Sequence, residues 1–293
     1  MIERPNLHAL AVFLAVVEHG TMLAAAEVES LSQPAISMHV KNLERFFGAP
    51  LLQRRGRRVQ PTAAGDLVAD YARRMLSLAE EMTRLVADLE GLRAGKLVIG
   101  ASSTVGEQML PDLLGQFHRA HPAVELALSI GNTDEIVAAV LARELDLGIV
   151  GKPQQHADLE TRPVFDDHLE IFVAPDSPLL GQPELRVADL NGAAFVLREP
   201  GSATRDLALR CRAEHGCVPG ESIELGSNEA VKRAAAVGLG IGVLSTHTVA
   251  VDRQAGAVAA LACVDWVCAR QFWLVHRRDR LLSRAERAFI ELL

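Results

Sequence analysis

Short and cationic side chains share one side of a predicted helix at residues 32–47, a pattern that suits contact with nucleic acid. Ser32 is a good N-cap, the proline that follows suits the first turn, and Gly48 suits the helix end. One side of the helix is apolar, through Ile36, Val40, Leu43 and Phe47. The opposite side has no carboxylate and consists of Pro34, Ser37, Met38, Lys41 and Arg45. Such a helix fits a DNA major groove, although an ordinary amphipathic surface helix has the same pattern.

A strongly basic segment follows this helix. Residues 51–60 contain four arginines and no acidic residue, and a central glycine divides them into two short extended pieces. This pattern is typical of a β-hairpin whose arginines lie against phosphates. Two further helices are predicted upstream, one with an apolar stripe over Leu7–Val17 that stops at Gly20, and one capped by Thr21. Three helices and a basic hairpin make a winged helix-turn-helix.

Hydroxyl-bearing loops follow three of the strands that are predicted farther along the chain. They read Gly-Ala-Ser-Ser-Thr at residues 100–104, Gly-Asn-Thr at 131–133 and Gly-Ser-Ala-Thr-Arg at 201–205. Each opens a helix, where backbone N–H groups and the helix dipole favour an anion, and ligands collect at such strand ends in open α/β sheets. Plain helix capping is the alternative for each loop taken alone. The candidate anion-binding residues are Ser102, Ser103, Thr104, Thr133, Arg198, Ser202, Thr204 and Arg205, with Ser227 and Asn228 as a further pair.

The elements that would position these residues alternate in type from Lys96 onward. Apolar runs predict strands and the amphipathic stretches between them predict helices, which is typical of a parallel sheet with right-handed crossovers. Thr104 and Glu107 predict a capping box for the first of these helices, and residues 281–293 predict a closing helix. The predicted strands are 97–100, 124–130, 147–150, 169–174, 194–197, 223–225, 241–244 and 271–276.

A long helix is predicted between the two regions, beginning after Thr62 and reaching about Leu89. Its apolar positions alternate in spacing between four and three residues, as in a coiled-coil seam, and they are Val68, Ala72, Met75, Ala79, Met82, Val86 and Leu89. Such a seam joins two chains or packs on the body of its own chain. The periodicity is lost after residue 89 and two glycines follow, which predicts a hinge at residues 91–95.

Composition and charge indicate a folded protein with a basic N-terminal part. The 293 residues are 49% hydrophobic and 23% charged, with a net charge of −7. Residues 1–60 hold seven basic and five acidic residues, so they carry +2 and residues 61–293 carry −9. A basic head on an acidic body fits a DNA-binding module attached to another unit. Neither a signal peptide nor a membrane span is predicted, so we expect a soluble, cytoplasmic protein.

Catalytic and metal-binding patterns are not found in the sequence. Residues 100–104 lack the last glycine of G-x-S-x-G, residues 238–242 lack the spacing of a dinucleotide-binding turn, and no P-loop is present. The ten histidines show no metal-ligand spacing, so neither an enzyme nor a cofactor is predicted. The cysteines show no C-x-x-C spacing and are expected to be reduced thiols without a structural disulfide; they are Cys211, Cys217, Cys263 and Cys268.

Specific motifs of the N-terminal region resemble those of the LysR-type transcriptional regulators. They are Ser-Gln-Pro-Ala-Ile-Ser at residues 32–37, Arg-Arg-Gly-Arg-Arg-Val at 54–59 and Pro-Thr-Ala-Ala-Gly at 61–65, and the resemblance continues to about residue 290. It implies a winged helix-turn-helix (all-α with a β wing), a long linker helix and a C-terminal α/β domain like a periplasmic binding protein. The implied bounds are 1–61, 62–90, a hinge at 91–95, and an effector-binding domain at 96–293, with subdomain I at 96–164 and 269–293 and subdomain II at 165–268.

The resemblance also implies what the chain binds. Linker helices of this family dimerise antiparallel, which favours a seam between two chains with Met75, Ala79, Met82 and Val86 as the dimerisation residues. The implied partners are double-stranded DNA with an interrupted inverted repeat, a small anionic metabolite between the subdomains, a second copy of the chain in a dimer or tetramer, and RNA polymerase. Phosphate contacts are expected from Lys41, Arg45, Arg54 and Arg55, and base contacts from Gln33, Pro34, Ser37 and Met38.

Two finer points of the resemblance concern regulation. Residues 100–136 are similar to the branch that regulates Calvin-cycle carbon-fixation operons and sulfur assimilation. Some family members sense peroxide through a cysteine pair, but here Ala203 holds the position of their reactive cysteine. The rival interpretation is a solute-binding protein or α/β enzyme in which residues 1–90 only mediate assembly. The missing signal peptide and the arginine-rich hairpin count against this rival.

Overall fold

The computed structural model describes residues 5–56, 58–88, 95–218 and 220–293. The chain divides into two compact units, Met1–Leu89 and Glu90–Leu293. The hinge expected at residues 91–95 lies outside the described residues except for Gly95, which begins the first strand of the second unit.

Three helices, a hairpin and a long helix form the first unit. Their bounds are α1 (Leu7–His19), α2 (Met22–Val28), α3 (Gln33–Phe47), β1 (Leu52–Arg55), β2 (Arg58–Pro61) and α4 (Ala63–Asp88). The Thr21 hydroxyl accepts a hydrogen bond from the Ala24 N–H at 3.1 Å, and the Ser32 hydroxyl accepts one from the Ala35 N–H at 3.4 Å. Both predicted N-caps are therefore confirmed. Gly48 ends α3 with a φ of 67°, a left-handed conformation that glycine adopts without strain.

The core of the first unit forms where α3 packs on α1. The predicted apolar stripe of α3 is buried here through Ile36, Val40 and Leu43, which are at most 3% exposed. Its fourth predicted member, Phe47, is instead 41% exposed. It occupies the last position of the helix, and its ring lies edge-on against Phe46. The stripe is thus one residue shorter than the sequence predicts.

The long helix α4 has two parts with different surroundings. Its first turns pack on α1 through Val68, Ala69 and Ala72, which are at most 8% exposed. Farther along, the apolar side chains are exposed, and those of Met82 and Val86 are 63% and 61% exposed. Packing on the body of its own chain, one of the two alternatives for the predicted seam, is therefore confirmed for the start of the helix. The rest of the seam is exposed in the single chain, and a contact with a second chain there stays a prediction.

The second unit is an α/β sheet domain. Its elements in chain order are β3 (Gly95–Ser102), α5 (Ser103–Gln108), α6 (Leu110–Ala120), β4 (Val124–Gly131), α7 (Thr133–Leu141), β5 (Leu147–Val150), β6 (Leu159–Val173), β7 (Phe195–Arg198), α8 (Ala203–Glu214), β8 (Ser222–Leu225), α9 (Asn228–Ala236), β9 (Ile241–Ser245), α10 (Thr246–Gln254), β10 (Ala259–Ala260), β11 (Ala269–Arg277) and α11 (Arg284–Ile290). Two short 3₁₀ turns, Pro178–Gly181 and Val187–Leu190, lie between β6 and β7.

Nine strands form the sheet in the part of the chain that the structure describes, in the order β4-β3-β5-β11-β6-β9-β7-β8 with β10 paired to β6. Strands β3, β4 and β5 are parallel and form the first half, and β7, β8 and β9 are parallel and form the second half. The long strands β6 and β11 are antiparallel to each other and connect the halves. The expectation of an all-parallel sheet is therefore wrong for these two strands. Polar residues such as Glu160 and Arg162 interrupt β6, so a search for apolar runs finds only its end.

Two helix predictions are corrected by the structure. The helix expected to start at a Thr104 capping box is instead two helices, α5 and α6, because Pro111 lacks the N–H that would continue α5. Thr104 lies inside α5, which has no side-chain cap. The closing helix, expected from residue 281, begins only after Ser283. There Ser283 and Glu286 form a capping box, with hydrogen bonds of 3.2 and 2.7 Å.

A disulfide joins Cys211 of α8 to Cys268, the residue before β11, and their Cα atoms are 6.1 Å apart. Cys217 and Cys263 are free thiols. The expectation of four reduced thiols is therefore wrong for one pair. The bonded residues are separated by 57 positions, so their spacing along the chain gives no sign of pairing. They meet because α8 and the start of β11 pack into the same core.

We predict that Gly65→Ala destabilises the first unit. Gly65 lies in the first turn of α4, where an added Cβ would overlap the backbone carbonyl oxygen of Leu51. Because backbone must move to relieve the overlap, we expect a loss of about 1–3 kcal/mol in thermal or urea unfolding of the full chain followed by circular dichroism. Gly115→Ala is the matched control, since the nearest atom to its Cβ is 3.6 Å away. It should stabilise α6 by about 0.5–1 kcal/mol, and equal effects of the two variants would contradict the packing described.

Candidate functional site

The exposed side of α3 carries the residues that the sequence predicts to face DNA. Gln33, Pro34, Lys41 and Arg45 are exposed, Met38 is 56% exposed and Ser37 is half-buried. The acidic residue of this helix, Glu44, does not share that side. Its Oε1 accepts hydrogen bonds from the backbone N–H groups of Leu51 and Leu52, at 2.9 and 3.5 Å. Glu44 therefore anchors the hairpin, and its charge is directed away from the cationic side of α3.

The predicted hairpin is present next to α3 and presents arginines to solvent. Strands β1 and β2 are antiparallel, with Arg54 opposite Val59 and Arg55 opposite Arg58. All three of these arginines are exposed, and within the described residues neither Arg54 nor Arg55 is paired with a carboxylate. The Val59 N–H donates to the Gly20 carbonyl at 2.8 Å, which ties the hairpin to the end of α1. Helix α3 and the hairpin thus both expose cationic side chains and belong to the same compact unit.

A polar cleft lies between the two halves of the second unit, where the loops after β3, β4, β5 and β7 meet the start of β11. It brings together seven of the eight predicted anion-binding residues, all at most 9% exposed: Ser102, Ser103, Thr104, Thr133, Arg198, Ser202 and Thr204. These residues lie so close together that the cavity they line has a volume of only about 10 Å³. That is room for about one water molecule.

Arg205, the eighth predicted residue, does not line the cleft. Its Nη1 donates to Glu224 Oε2 at 2.9 Å on β8. The further candidates also have structural partners. The Ser227 hydroxyl caps α9 through the Ala230 N–H at 3.1 Å, and Asn228 joins the network around Arg198.

Arg198 is already neutralised by a neighbouring carboxylate. Its Nε and Nη2 donate to the two oxygens of Glu199 at 2.7 and 2.8 Å, and its Nη1 donates to Asn228 Oδ1. Nη2 also donates to Ser103 Oγ across the cleft at 3.3 Å. Burial acts to raise the pKa of the Glu199 carboxyl, but the hydrogen bonds from Arg198 and from Asn132 hold that pKa below its ordinary value. The Glu199 carboxyl is therefore charged at neutral pH.

The sequence analysis missed Arg270, a second buried arginine of the cleft. It lies at the start of β11, 66 residues beyond Thr204, to whose Oγ1 its Nη1 donates at 2.9 Å. Its Nε donates to Asp167 Oδ2 at 2.7 Å, and its guanidinium carbon lies 4.5 Å from the centre of the Phe272 ring. Burial lowers the pKa of Arg270, and Asp167 opposes that shift. The one available sequence signal was an arginine at the beginning of a strand whose centre, at residues 272–275, is apolar.

Two polar groups of the cleft are left without a partner. Nη2 of Arg270 and Oγ of Ser102 are buried and have no hydrogen bond among the described residues. A buried donor without a partner costs about 1–3 kcal/mol, so such groups mark a place for a ligand or an ordered water. Both residues line the same small cavity.

Direct contacts hold the two halves together over the cleft. Lys152, on the loop after β5, bridges Asp134 at 3.3 Å in the first half and Asp206 at 2.9 Å on α8. Gly151 must be glycine here, because a Cβ would lie 2.8 Å from the Cβ of Ala203. A larger cavity of about 640 Å³ adjoins the cleft beyond these residues, and it is also lined by Arg270. The cleft is therefore in a closed state.

Two negative findings limit the chemistry of this site. Within the described ranges, no group of three or more His, Cys, Asp or Glu side chains is arranged to hold a metal ion. A search of the same residues finds no helix that is long and apolar enough to cross a membrane.

Comparison with known proteins gives consistent matches along the chain. The profile described as "Bacterial regulatory helix-turn-helix protein, lysR family" matches residues 7–66, and that described as "LysR substrate binding domain" matches residues 90–293. The chain is 34% identical to the RuBisCO operon transcriptional regulator of Acidithiobacillus ferrooxidans, over 100% of this chain and 94% of that protein.

Solved structures agree with this assignment. Full-length OxyR from Pseudomonas aeruginosa is similar with a TM-score of 0.73 and 26% identity, over 99% of this chain and 93% of that chain. The regulatory domain of CcmR from Synechocystis PCC6803, in complex with 2-PG, gives a TM-score of 0.63 and 31% identity over 67% of this chain and 94% of that chain. The predicted fold class is thereby confirmed, and the chain belongs to the LysR family of DNA-binding transcriptional regulators, with an N-terminal helix-turn-helix region and a C-terminal effector-binding domain.

Proposed function

We propose that this regulator responds to a small organic anion that is held in the cleft by Arg270 and Ser102. The observation that carries the proposal is the pair of buried, unpartnered groups, Arg270 Nη2 and Ser102 Oγ, in residues that line one cavity. A guanidinium N–H satisfied by an oxyanion makes one of the stronger hydrogen bonds in proteins. A ligand that supplies such an oxygen would remove the free-energy cost of burying both groups without a partner.

The surroundings favour an anion over a neutral ligand. The N-termini of α7 and α8 meet at the cleft, and their partial positive charges add to the hydroxyl donors. The carboxylates nearest the cleft, Glu199 and Asp167, are both occupied by arginines. The related CcmR domain was solved with 2-PG, so phosphorylated acids are the first class to test, followed by sulfur oxyanions and small carboxylates.

Binding requires the cleft to open. A cavity of about 10 Å³ cannot hold a metabolite, so the bridge from Lys152 to Asp206 and the bond from Arg198 to Ser103 must break first. The adjoining cavity of about 640 Å³ offers room for the rest of the ligand. A ligand shifts the equilibrium between open and closed states only by its difference in affinity for them. The signal is therefore a change in closure of the two halves.

DNA binding is assigned to the cationic surface of the first unit. Lys41, Arg45, Arg54 and Arg55 contact phosphates, as the exposure of all four allows. Gln33, Pro34, Ser37 and Met38 then face base edges, and Met38 suits contact with a thymine methyl group. Two chains joined through α4 present two such surfaces, which fits an interrupted inverted repeat.

The remaining assignments follow from this role. Two or four chains assemble through Met75, Ala79, Met82 and Val86 of α4, and the bound regulator acts on RNA polymerase. A protein that acts on chromosomal DNA works in the cytoplasm, and we assign no catalytic activity to it.

The rival role as a solute-binding protein or α/β enzyme predicts no salt-dependent binding to DNA, so a salt titration with random duplex separates the two.

We predict that Ser102→Ala weakens effector binding without a loss of stability. The hydroxyl is buried without a protein partner, so its removal should not destabilise the fold and should raise the free energy of unfolding by up to about 1–3 kcal/mol. Affinity for the anion, measured by calorimetry with 2-PG and then with the other classes, should fall about fivefold because one hydrogen bond is lost. Arg205→Gln is the matched control outside the cleft and should bind as the wild type does. Normal binding by Ser102→Ala would remove this hydroxyl from the site.

We predict that Arg54→Ala weakens binding to specific and random DNA alike. An arginine that contacts a phosphate releases about one counterion, so the slope of log affinity against log salt should become shallower by about one unit. The measurement is fluorescence anisotropy with a labelled duplex at several salt concentrations. Arg210→Ala, an exposed arginine of α8 in the second unit, is the control and should keep the wild-type slope. An unchanged slope for Arg54→Ala would exclude a phosphate contact.

We predict that Met82→Glu dissociates the assembly. Met82 lies in the exposed apolar part of α4, and a carboxylate buried there against a second chain would cost several kcal/mol. Sedimentation should show smaller species, and affinity for an operator with two half-sites should collapse. Thr83→Glu places the same charge on the neighbouring exposed position outside the seam and should leave the mass unchanged. A native mass for Met82→Glu would place the interface elsewhere.

A further inference from the structure

All four cysteines of the chain lie in one core of the second unit. Cys211, Cys217 and Cys268 are buried in the same cluster, and Cys263 packs against it. Only Cys211 and Cys268 are bonded to each other. This bond is not explained by the assignments made so far, because neither cysteine lines the cleft.

The disulfide joins two of the elements that line the cleft. Helix α8 begins next to the cleft with Thr204 and carries Cys211 about two turns later. Strand β11 begins directly after Cys268 and carries Arg270 two residues later. The hydrogen bond from Arg270 to Thr204, at 2.9 Å, therefore joins the same two elements that the disulfide joins covalently.

A third element, strand β6, contacts the same segment. The Cys268 carbonyl accepts a hydrogen bond from the Leu169 N–H at 2.8 Å. Two residues before Leu169 on β6 is Asp167, which holds Nε of Arg270 at 2.7 Å. The position of Cys268 thus affects both protein partners of Arg270, which are Thr204 and Asp167.

We propose that Cys211 and Cys268 form a reversible thiol–disulfide pair that sets the affinity of the cleft for its anion. The part of the proposal that concerns the anion rests on the proposed function above. In the oxidised state the bond fixes the start of β11 against α8 and holds Arg270 in place for the ligand. In the reduced state the segment before β11 is free to move, so Arg270 is held less well and the anion binds more weakly.

The chemistry balances with a small-molecule disulfide as the oxidant. The thiolate of one cysteine attacks a sulfur of oxidised glutathione and expels one glutathione thiolate. The second cysteine, as its thiolate, attacks the mixed disulfide and expels the other glutathione thiolate, and the two protons of the protein thiols end on the released thiols. Two protein thiols and one glutathione disulfide thus give one protein disulfide and two glutathione thiols. Excess glutathione reverses both steps.

Access to the pair is through the segment that precedes β11. Both sulfurs are buried, since Cys211 and Cys268 are 4% and 3% exposed. Residues 261–268 form neither helix nor strand, however, and Val264 and Val267 in this segment are 63% and 76% exposed. Opening of this segment exposes Cys268 without unfolding the sheet, so exchange is slow but local.

The other two cysteines do not compete for the bond. Burial raises the pKa of the Cys217 thiol above its ordinary value. Burial, together with the charges of Asp265 and Asp189, raises the pKa of Cys263 to about 11. Since the thiolate is the attacking species, a raised pKa makes both thiols weaker nucleophiles at neutral pH.

The first test counts thiols in the full-length protein. Purified protein is equilibrated with glutathione buffers of different ratio, alkylated with N-ethylmaleimide after acid quenching and unfolding, and analysed by mass spectrometry. We expect two alkylated cysteines and a cross-linked peptide pair containing Cys211 and Cys268 in oxidising buffer, and four alkylated cysteines in reducing buffer. Four thiols at every ratio, or a bond that no ratio reduces, would overturn the proposal.

The second test measures the coupling to the cleft in two independent ways. Hydrogen–deuterium exchange of peptides covering residues 203–210 and 266–273 should be faster in the reduced protein and in Cys268→Ser. Affinity for 2-PG or inorganic phosphate should be about tenfold weaker in both. Cys263→Ser, which leaves the bond intact, is the matched control and should match the oxidised wild type in exchange and in affinity.

The outcomes separate this proposal from the proposed function. Equal exchange of the two forms would overturn the switch, whatever the ligand does. Faster exchange of the reduced form with equal anion affinity would also overturn it, because the bond would then stabilise the fold alone. If neither form binds 2-PG, phosphate or the other anion classes, the proposal that the cleft binds an anion fails. The claim that the bond sets anion affinity then fails with it. The exchange result still decides whether the bond controls the start of β11.

Discussion

The antiparallel pairing of β6 with β11 is the constraint on which the second unit depends. These two strands are the connections between the two halves of the sheet, and their register places Arg270 directly opposite Asp167. Cross-strand neighbours have Cβ atoms about 5 Å apart, so the ion pair in the cleft follows from backbone pairing. The same pair of strands lies between the two halves of the sheet. Any change in closure must therefore bend or twist this pair, and Arg270 and Asp167 move with it.

Charge pairing explains how the cleft accommodates two buried arginines. Two buried guanidinium groups, of Arg198 and Arg270, would be very costly without counter-charges in a site of low dielectric. Each has a carboxylate within 2.7 Å, Glu199 for the first and Asp167 for the second. The charges of the two arginines are therefore balanced, and among the described residues that line the small cavity the buried side-chain atoms without a partner are Arg270 Nη2 and Ser102 Oγ. The protein can thus rest in the closed state and still gain from a ligand that completes both hydrogen bonds.

Much of this arrangement could be predicted from the sequence because it depends on local patterns. Helix caps at Thr21 and Ser32 and the parallel strands of each half follow from residue types that act within a few positions. The predicted hydroxyl residues converge because the carboxyl ends of parallel strands share one edge of a sheet. The features that the sequence analysis missed depend on pairing between distant segments. Arg270 and the bond between Cys211 and Cys268 require the register of β11, which no local spacing encodes.

Helix α4 has two roles: its start completes the core of the first unit, and its later turns expose an apolar surface. The chain is acidic overall, yet its cationic surface is confined to a small unit whose acidic Glu44 is used internally to anchor the hairpin. The first turns of α4 belong to the core of that unit, so the helix cannot turn independently of α3 and the hairpin. Its later turns expose the apolar side chains that a second chain would cover. Because one continuous helix carries both parts, a shift of its later turns would also move α3 and the hairpin. Under the proposed pairing of two chains through α4, the geometry of that seam, more than any change in α3 itself, sets the spacing of the two surfaces on DNA.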